Sequence, residues 1–130
     1  MTNKHDPRFI NVSVHVTKNS DGTFTPKYEP EVITVTASDS VINFQLAPTT
    51  NKHIKVRKVR VHPEDNDQLS DPIISKSGRQ VIISDVNSLP DKFNLTFKFT
   101  EGDIQALAKC SDSEERSVAD YPEIDNVPPG

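Results

Sequence analysis

PEVITVTASDSVINFQLAP, residues 30–48, holds two apolar-rich runs, VITVTA and VINFQL, joined by the polar Ser38, Asp39 and Ser40. In the first run Ile33, Val35 and Ala37 share one face and Val32, Thr34 and Thr36 the other. In the second, Ile42, Phe44 and Leu46 oppose Val41, Asn43 and Gln45. Alternation with a period of two, in residues rich in β-branched side chains, is the pattern of strands buried on one face. Pro30 and Pro48 bound the stretch, where a missing N–H costs no ladder hydrogen bond. The reading is two consecutive antiparallel strands at the centre of an all-β domain.

Upstream, RFINVSVHVT sets Ile10, Val12, Val14 and Val16 against Asn11, Ser13, His15 and Thr17, and Asp21-Gly22 follows as a hairpin turn. TFTPKYEP reads as the return strand, confined to an edge by Pro26 and Pro30. Downstream, HIKVRKVRVH breaks its own alternation: Ile54 and Val56 share one parity, Val59 and Val61 the other. Arg57 and Lys58 mark the flip. A β-bulge produces such a flip with one unpaired residue; a strand crossing between sheets at a corner is the alternative. PIIS and QVIISDV contain consecutive apolar residues and are expected to be covered on both faces. KFNLTFKF alternates most regularly, Phe93, Leu95, Phe97 and Phe99 against Lys92, Asn94, Thr96 and Lys98, so its burial is expected to dominate the core. After Phe99, Thr100 is placed to cap a short helix, with Ile104, Leu107 and Ala108 at helical spacing.

Hydrophobic residues make up 33% of 130, with 10 Pro, which predicts one ordered domain and a loose end. The expected boundaries are a β-sandwich over 1–110 and an acidic, flexible tail over 111–130. The sandwich is expected to be antiparallel, immunoglobulin-like or cupredoxin-like, with about seven or eight strands and one short helix near the C-terminus. Immunoglobulin marks are not diagnostic, because the chain has no Trp and no Cys pair. A single Cys excludes an intrachain disulfide. No apolar run approaches the roughly 18–20 residues needed to span a bilayer, and MTNKHDPRF lacks the apolar segment of a secretory signal. A cytoplasmic protein without a membrane partner is the expectation.

YEPEVITVTASDSVINFQL, residues 28–46, resembles the first sheet hairpin of cupredoxin-type sandwiches: an aromatic-x-Pro entry, a strand, a short acidic turn and a second strand. Copper in such a sandwich needs a Cys closely followed by His, with another His upstream. Here Cys110 is followed by SDSEERS and no His occurs after His62, so only the architecture carries over. Asp6-Pro7 and Glu29-Pro30, flanking the first hairpin of a small acidic β-rich chain, also resemble the uncharacterised bacterial family named for its DP and EP dipeptides. That resemblance implies a small bacterial β-sandwich and brings no activity, cofactor or site residues with it.

The most suggestive feature is basic. Lys52, Lys55, Arg57, Lys58 and Arg60, flanked by His53 and His62, make residues 52–62 +5, which leaves −9 for the rest of a chain whose net charge is −4. Such a strand suits phosphate groups or an acidic partner surface, with Lys55, Arg57, Lys58 and Arg60 as the binding residues. The plain alternative is an edge strand protected by charge against sheet-to-sheet aggregation. No aromatic residue interleaves the charges, which weighs against nucleic acid. In HPEDNDQLSD, Asp65 and Asp67 begin a calcium spacing, but Leu69 takes the next ligand position and the required Gly is absent. One Cys and no paired-ligand motif weigh against zinc. A thiol- or His-dependent enzyme would have to draw on Cys110 with His53 or His62, and no catalytic motif surrounds them. The leading expectation is therefore a non-enzymatic interaction or accessory module, with a protein or anionic partner. The alternatives are a polyanion or small-ligand binder using residues 52–62, and an enzyme centred on Cys110 and a His.

Overall fold

The computed structural model describes residues 8–101 and 122–129, and among these nine strands form two packed sheets. β1 (Phe9–Lys18) turns back into β2 (Phe24–Glu29) with Val14 opposite Tyr28 and Val16 opposite Pro26. The turn is held by Asp21 Oδ1, which accepts from Thr23 N at 3.0 Å and Thr23 Oγ1 at 2.6 Å, and by Gly22 in the left-handed region. Such a conformation suits a residue without Cβ. β2 is an outer strand of the five-stranded sheet β2-β1-β4-β7-β6, the position that Pro26 demands.

β3 (Val32–Val35) and β4 (Ser40–Leu46) are not the hairpin that their sequence suggests. β4 lies between β1 and β7 (Gln80–Asp85), whereas β3 is one of the two outer strands of the second sheet, β3-β9-β8-β5. Ala37 and Asp39 lie on the connection between the two sheets: Ser40 Oγ donates to Ala37 O at 2.7 Å, and Asp39 takes a left-handed φ of 54°. Alternation reports which face of a strand is buried, and that is the same in either sheet of a sandwich; it does not report the neighbour. The pairing is also mixed. β1 and β4 run parallel, as do β3 and β9, while the other pairs are antiparallel. The fold is an all-β sandwich of two mixed sheets, with nine strands among the described residues in place of the expected seven or eight.

The core lies between the sheets. Val12, Val14, Ile42, Phe44, Val81 and Ile83 of the first face Ile33, Val35, Phe93, Leu95, Phe97 and Phe99 of the second, all buried. β8 (Asp91–Glu101) supplies the aromatic centre: the Phe97 ring lies 5.2 Å from Phe44, 5.4 Å from Tyr28 and 6.0 Å from Phe99. Since Phe44 and Tyr28 belong to the first sheet, these contacts tie the two layers together. β6 (Ile73–Ile74) is only two residues long, and Ile73 is exposed rather than covered on both faces.

Two further expectations change at the C-terminal end. Thr100 and Glu101 continue β8 as strand and do not cap a helix; the remainder of the expected helix, and Cys110, lie outside the described residues. Within the stretch expected to be tail, β9 (Glu123–Asn126) inserts between β3 and β8. Ile124 pairs with Ile33 on one side and Phe93 on the other and is fully buried. Four residues are too short a run for their alternation to stand out in an acidic, Pro-bearing sequence, which is why the strand was not legible.

Candidate functional site

β5 (Ile54–His62) is the other outer strand of the second sheet, beside β8. Its register slips between Val56 and Lys58: Val56 pairs with Phe99, and Lys58 with the next residue, Lys98. Arg57 is therefore the additional residue of a β-bulge, as the phase flip in the sequence predicts. The bulge lets one strand bury Ile54, Val56, Val59 and Val61 while turning Lys55, Arg57, Lys58 and His62 out to solvent, with Arg60 half-buried. Lys52 and His53 stand exposed on the loop leading into the strand. His53 and His62 thus lie at opposite ends of β5, and His62 is within 3.2 Å of Thr96 Oγ1 on β8.

Two cations, Lys58 and Lys98, face each other directly across the β5–β8 ladder. Like charges in that position destabilise a sheet. Lys55, Arg57 and Lys58 make no ion pair among the described residues. Among the described residues, the charge of Lys55, Arg57 and Lys58 is thus concentrated rather than neutralised.

The free edge of β5 is closed over its first half. Val56 N donates to Gly78 O at 2.7 Å, in the turn between β6 and β7. Gly78 has φ of +72°, and a Cβ there would lie 2.7 Å from Lys55 Cβ, so both conformation and contact require glycine. The next residue, Arg79, spreads its guanidinium over the loop that enters β5. Nη1 donates to Asn51 O and Ile54 O, both at 2.9 Å, and Nη2 to Thr50 O at 3.3 Å and Ala47 O at 3.4 Å. A planar fork with five donors can span four carbonyls at once, more than the three N–H groups of a lysine can serve. Sequence reading missed this residue, because nothing local distinguishes it from any other surface Arg.

Over its second half the edge opens into a cleft of about 520 Å³, lined by residues 58–62 of β5 and by Glu64, Leu69 and Pro72 of the loop that follows. That loop folds on itself through Asn66, whose Oδ1 accepts from Gln68 N at 2.9 Å and Leu69 N at 2.8 Å. Among the described residues no group of three His, Cys, Asp or Glu side chains is placed to hold a metal ion, and Asp65 and Asp67 belong to no such cluster. No helix among them is long and apolar enough to cross a membrane.

A second polar feature, also missed, is buried between the sheets. Asp85 Oδ1 accepts from Asn126 Nδ2 at 3.0 Å and from Asn87 N at 2.9 Å, and Asp85 is fully inaccessible. Burial pushes its carboxyl pKa up, against the opposing pull of the bonds from Asn126 and Asn87. Asn87 Nδ2 reaches Val35 O, Ala37 O and Val127 O, so one amide joins the ends of β3, β9 and the β3–β4 connection. The available signal was parity: Asp85 falls on the same phase as Val81 and Ile83, pointing an acid into the core.

No curated protein matches the chain. The DP-EP family model matches residues 8–126, from the first strand through the last. The matched range includes Glu29-Pro30 and begins one residue after Asp6-Pro7; the Asp-Pro dipeptide inside it is Asp71-Pro72, on the wall of the cleft. The match covers nearly the whole chain and every strand of both sheets, and the chain belongs to the DP-EP family.

Proposed function

We propose that this protein is a non-enzymatic binding module that presents strand β5 to an anionic partner surface. The observation that carries this reading is the Arg57 bulge. It sets Lys55, Arg57, Lys58, Arg60 and His62 along the outer side of one strand while four apolar residues of that strand stay buried. A net charge of −4 disfavours polyanions at long range, so attraction has to be local and has to weaken steeply with salt. An edge strand protected only against aggregation would carry the same charges without binding anything.

The test is binding of a fluorescent heparin oligosaccharide, followed by anisotropy across ionic strength. Binding is expected at low salt and is expected to vanish by about 0.5 M, where the Debye length is only a few ångströms. Reversing Lys55, Arg57 and Lys58 together to Glu is expected to lower the low-salt affinity by at least about tenfold. A protein that does not bind heparin, or a reversed variant that binds it as well as the parent, overturns the proposal.

A further inference from the structure

The direction of the backbone along β5 is fixed by its neighbours. Leu95 N donates to Pro122 O at 3.1 Å, on the β9 side, so the polar groups of Leu95 point away from β5. Leu95 pairs with Val61. In an antiparallel ladder a pair whose members point away from each other exchanges no hydrogen bonds, so Val61 directs its N–H and C=O to the outer edge. Val59, two residues earlier and opposite Phe97, does the same. The side chains of Val59 and Val61 are buried, and both residues nonetheless line the cleft, as expected of backbone that faces it. Earlier in the strand the Ile54 C=O accepts from Arg79 and the Ile54 N–H donates to Asn51 O, while the Val56 N–H donates to Gly78 O. At Val59 and Val61 no hydrogen bond from the described residues reaches the outward groups. Among the described residues, the first half of the edge is covered and the second half is open.

We propose that the open half of β5 takes an extended peptide as an added strand, with acidic side chains at alternate positions. The proposal rests on the reading of β5 as an anion-facing strand and specifies the form of its partner. Main-chain bonds to Val59 and Val61 supply the docking, as in other strand additions to a sheet edge. Side chains of the guest then alternate between two surroundings. One set stands beside Lys58, Arg60 and His62 on the outer face and favours Asp or Glu. The other set faces inward, toward the rim of the core and the loop wall that bears Leu69 and Pro72. Glu64 and Asp71 on that wall repel acid there, so an alternating peptide is preferred to a uniformly acidic one. The same cations that would repel a second copy of β5 attract this guest, so edge protection and selective pairing are compatible.

The probe is an end-blocked heptapeptide alternating Glu with Val, together with two versions N-methylated either at every Val or at every Glu. N-methylation removes a donor and leaves the charge intact. An added strand presents one alternate set of amides to β5, the Val set if antiparallel and the Glu set if parallel. Methylating that set is expected to weaken binding by about tenfold or more through two lost hydrogen bonds, while methylating the other set leaves it within about twofold. Amide hydrogen exchange of the full chain is the second readout, with slowing of at least about tenfold expected at Val59 and Val61 when the parent peptide is bound. If both methylated peptides bind like the parent, or if exchange at Val59 and Val61 is unchanged, strand addition is overturned. If heparin binds and no version of the peptide does, strand addition fails while the anion-facing reading stands. If neither heparin nor peptide binds, both fail.

Discussion

Replacing Ile124 tests whether the last strand belongs to the fold. Ile124 is fully buried between Ile33 and Phe93, with β9 the sole strand partner of β3 among the described residues. Ile124→Ala removes three carbons from a site walled by two paired strands that cannot readily collapse. The expected loss is about 3 kcal/mol, against about 1 kcal/mol for Ile124→Val. For a domain of this size that corresponds to a melting temperature roughly 10 °C lower for the Ala variant. Ending the chain at Tyr121 removes the same side chain together with Asn126, which donates to Asp85, and leaves β3 and the outer edge of β8 unpaired. Those losses together approach the total stability of roughly 5–15 kcal/mol of an ordinary domain, so most of the shortened chain is expected to be unfolded at 25 °C. Urea unfolding followed by far-UV circular dichroism gives the free energies. A shortened chain that unfolds at the same urea concentration as the full one would refute the placement of β9.

Two further predictions concern the core. Phe97→Ala is expected to cost about 3–5 kcal/mol, because Phe97 meets three rings across both sheets, whereas Thr96→Ala on the outer face should cost under about 1 kcal/mol. Equal losses in urea unfolding would mean that the register of β8 is wrong. Asp85→Asn tests the buried carboxyl. Its pKa is raised on folding above the ordinary value of 3.8, so the folded protein holds this proton more tightly than the unfolded chain. The stability it contributes is full below about pH 3.8 and is lost as pH rises through the folded value. The Asn variant lacks this dependence, so its stability relative to the parent is expected to increase between about pH 4 and pH 8. Melting curves that keep a constant separation across that range would show that Asp85 does not titrate differently in the two states.

Several strands were legible because burial on one face is a local property. Alternation alone identifies β1, β4 and β8, and Pro26 places β2 at an edge. The broken parity around Arg57 even reveals the bulge, since one added residue is the least disruptive way to keep Ile54 and Val61 on the same side. Pairing was less legible. Whether VITV joins VINFQL or the distant EIDN depends on contacts between residues far apart in the chain, which no window of sequence contains. The candidate site divides in the same way. Its cations could be read directly, and so could their common side once the bulge was recognised. The cleft beside them, the direction of the Val59 and Val61 backbone and the Arg79 contacts all follow from long-range packing.

Arg79 also bears on the entropy of any association at β5. Its fork holds the carbonyls of Ala47, Thr50, Asn51 and Ile54, so the connection entering the strand is ordered before a partner arrives. It does so from the turn beside β7 in the opposite sheet, so one side chain couples the position of the edge strand to the other layer. A loop left to settle only on contact would lose conformational freedom at that moment, at about 1–2 kcal/mol per residue newly fixed. With the entry already anchored, that loss has been taken during folding, and the edge is presented as a preorganised surface.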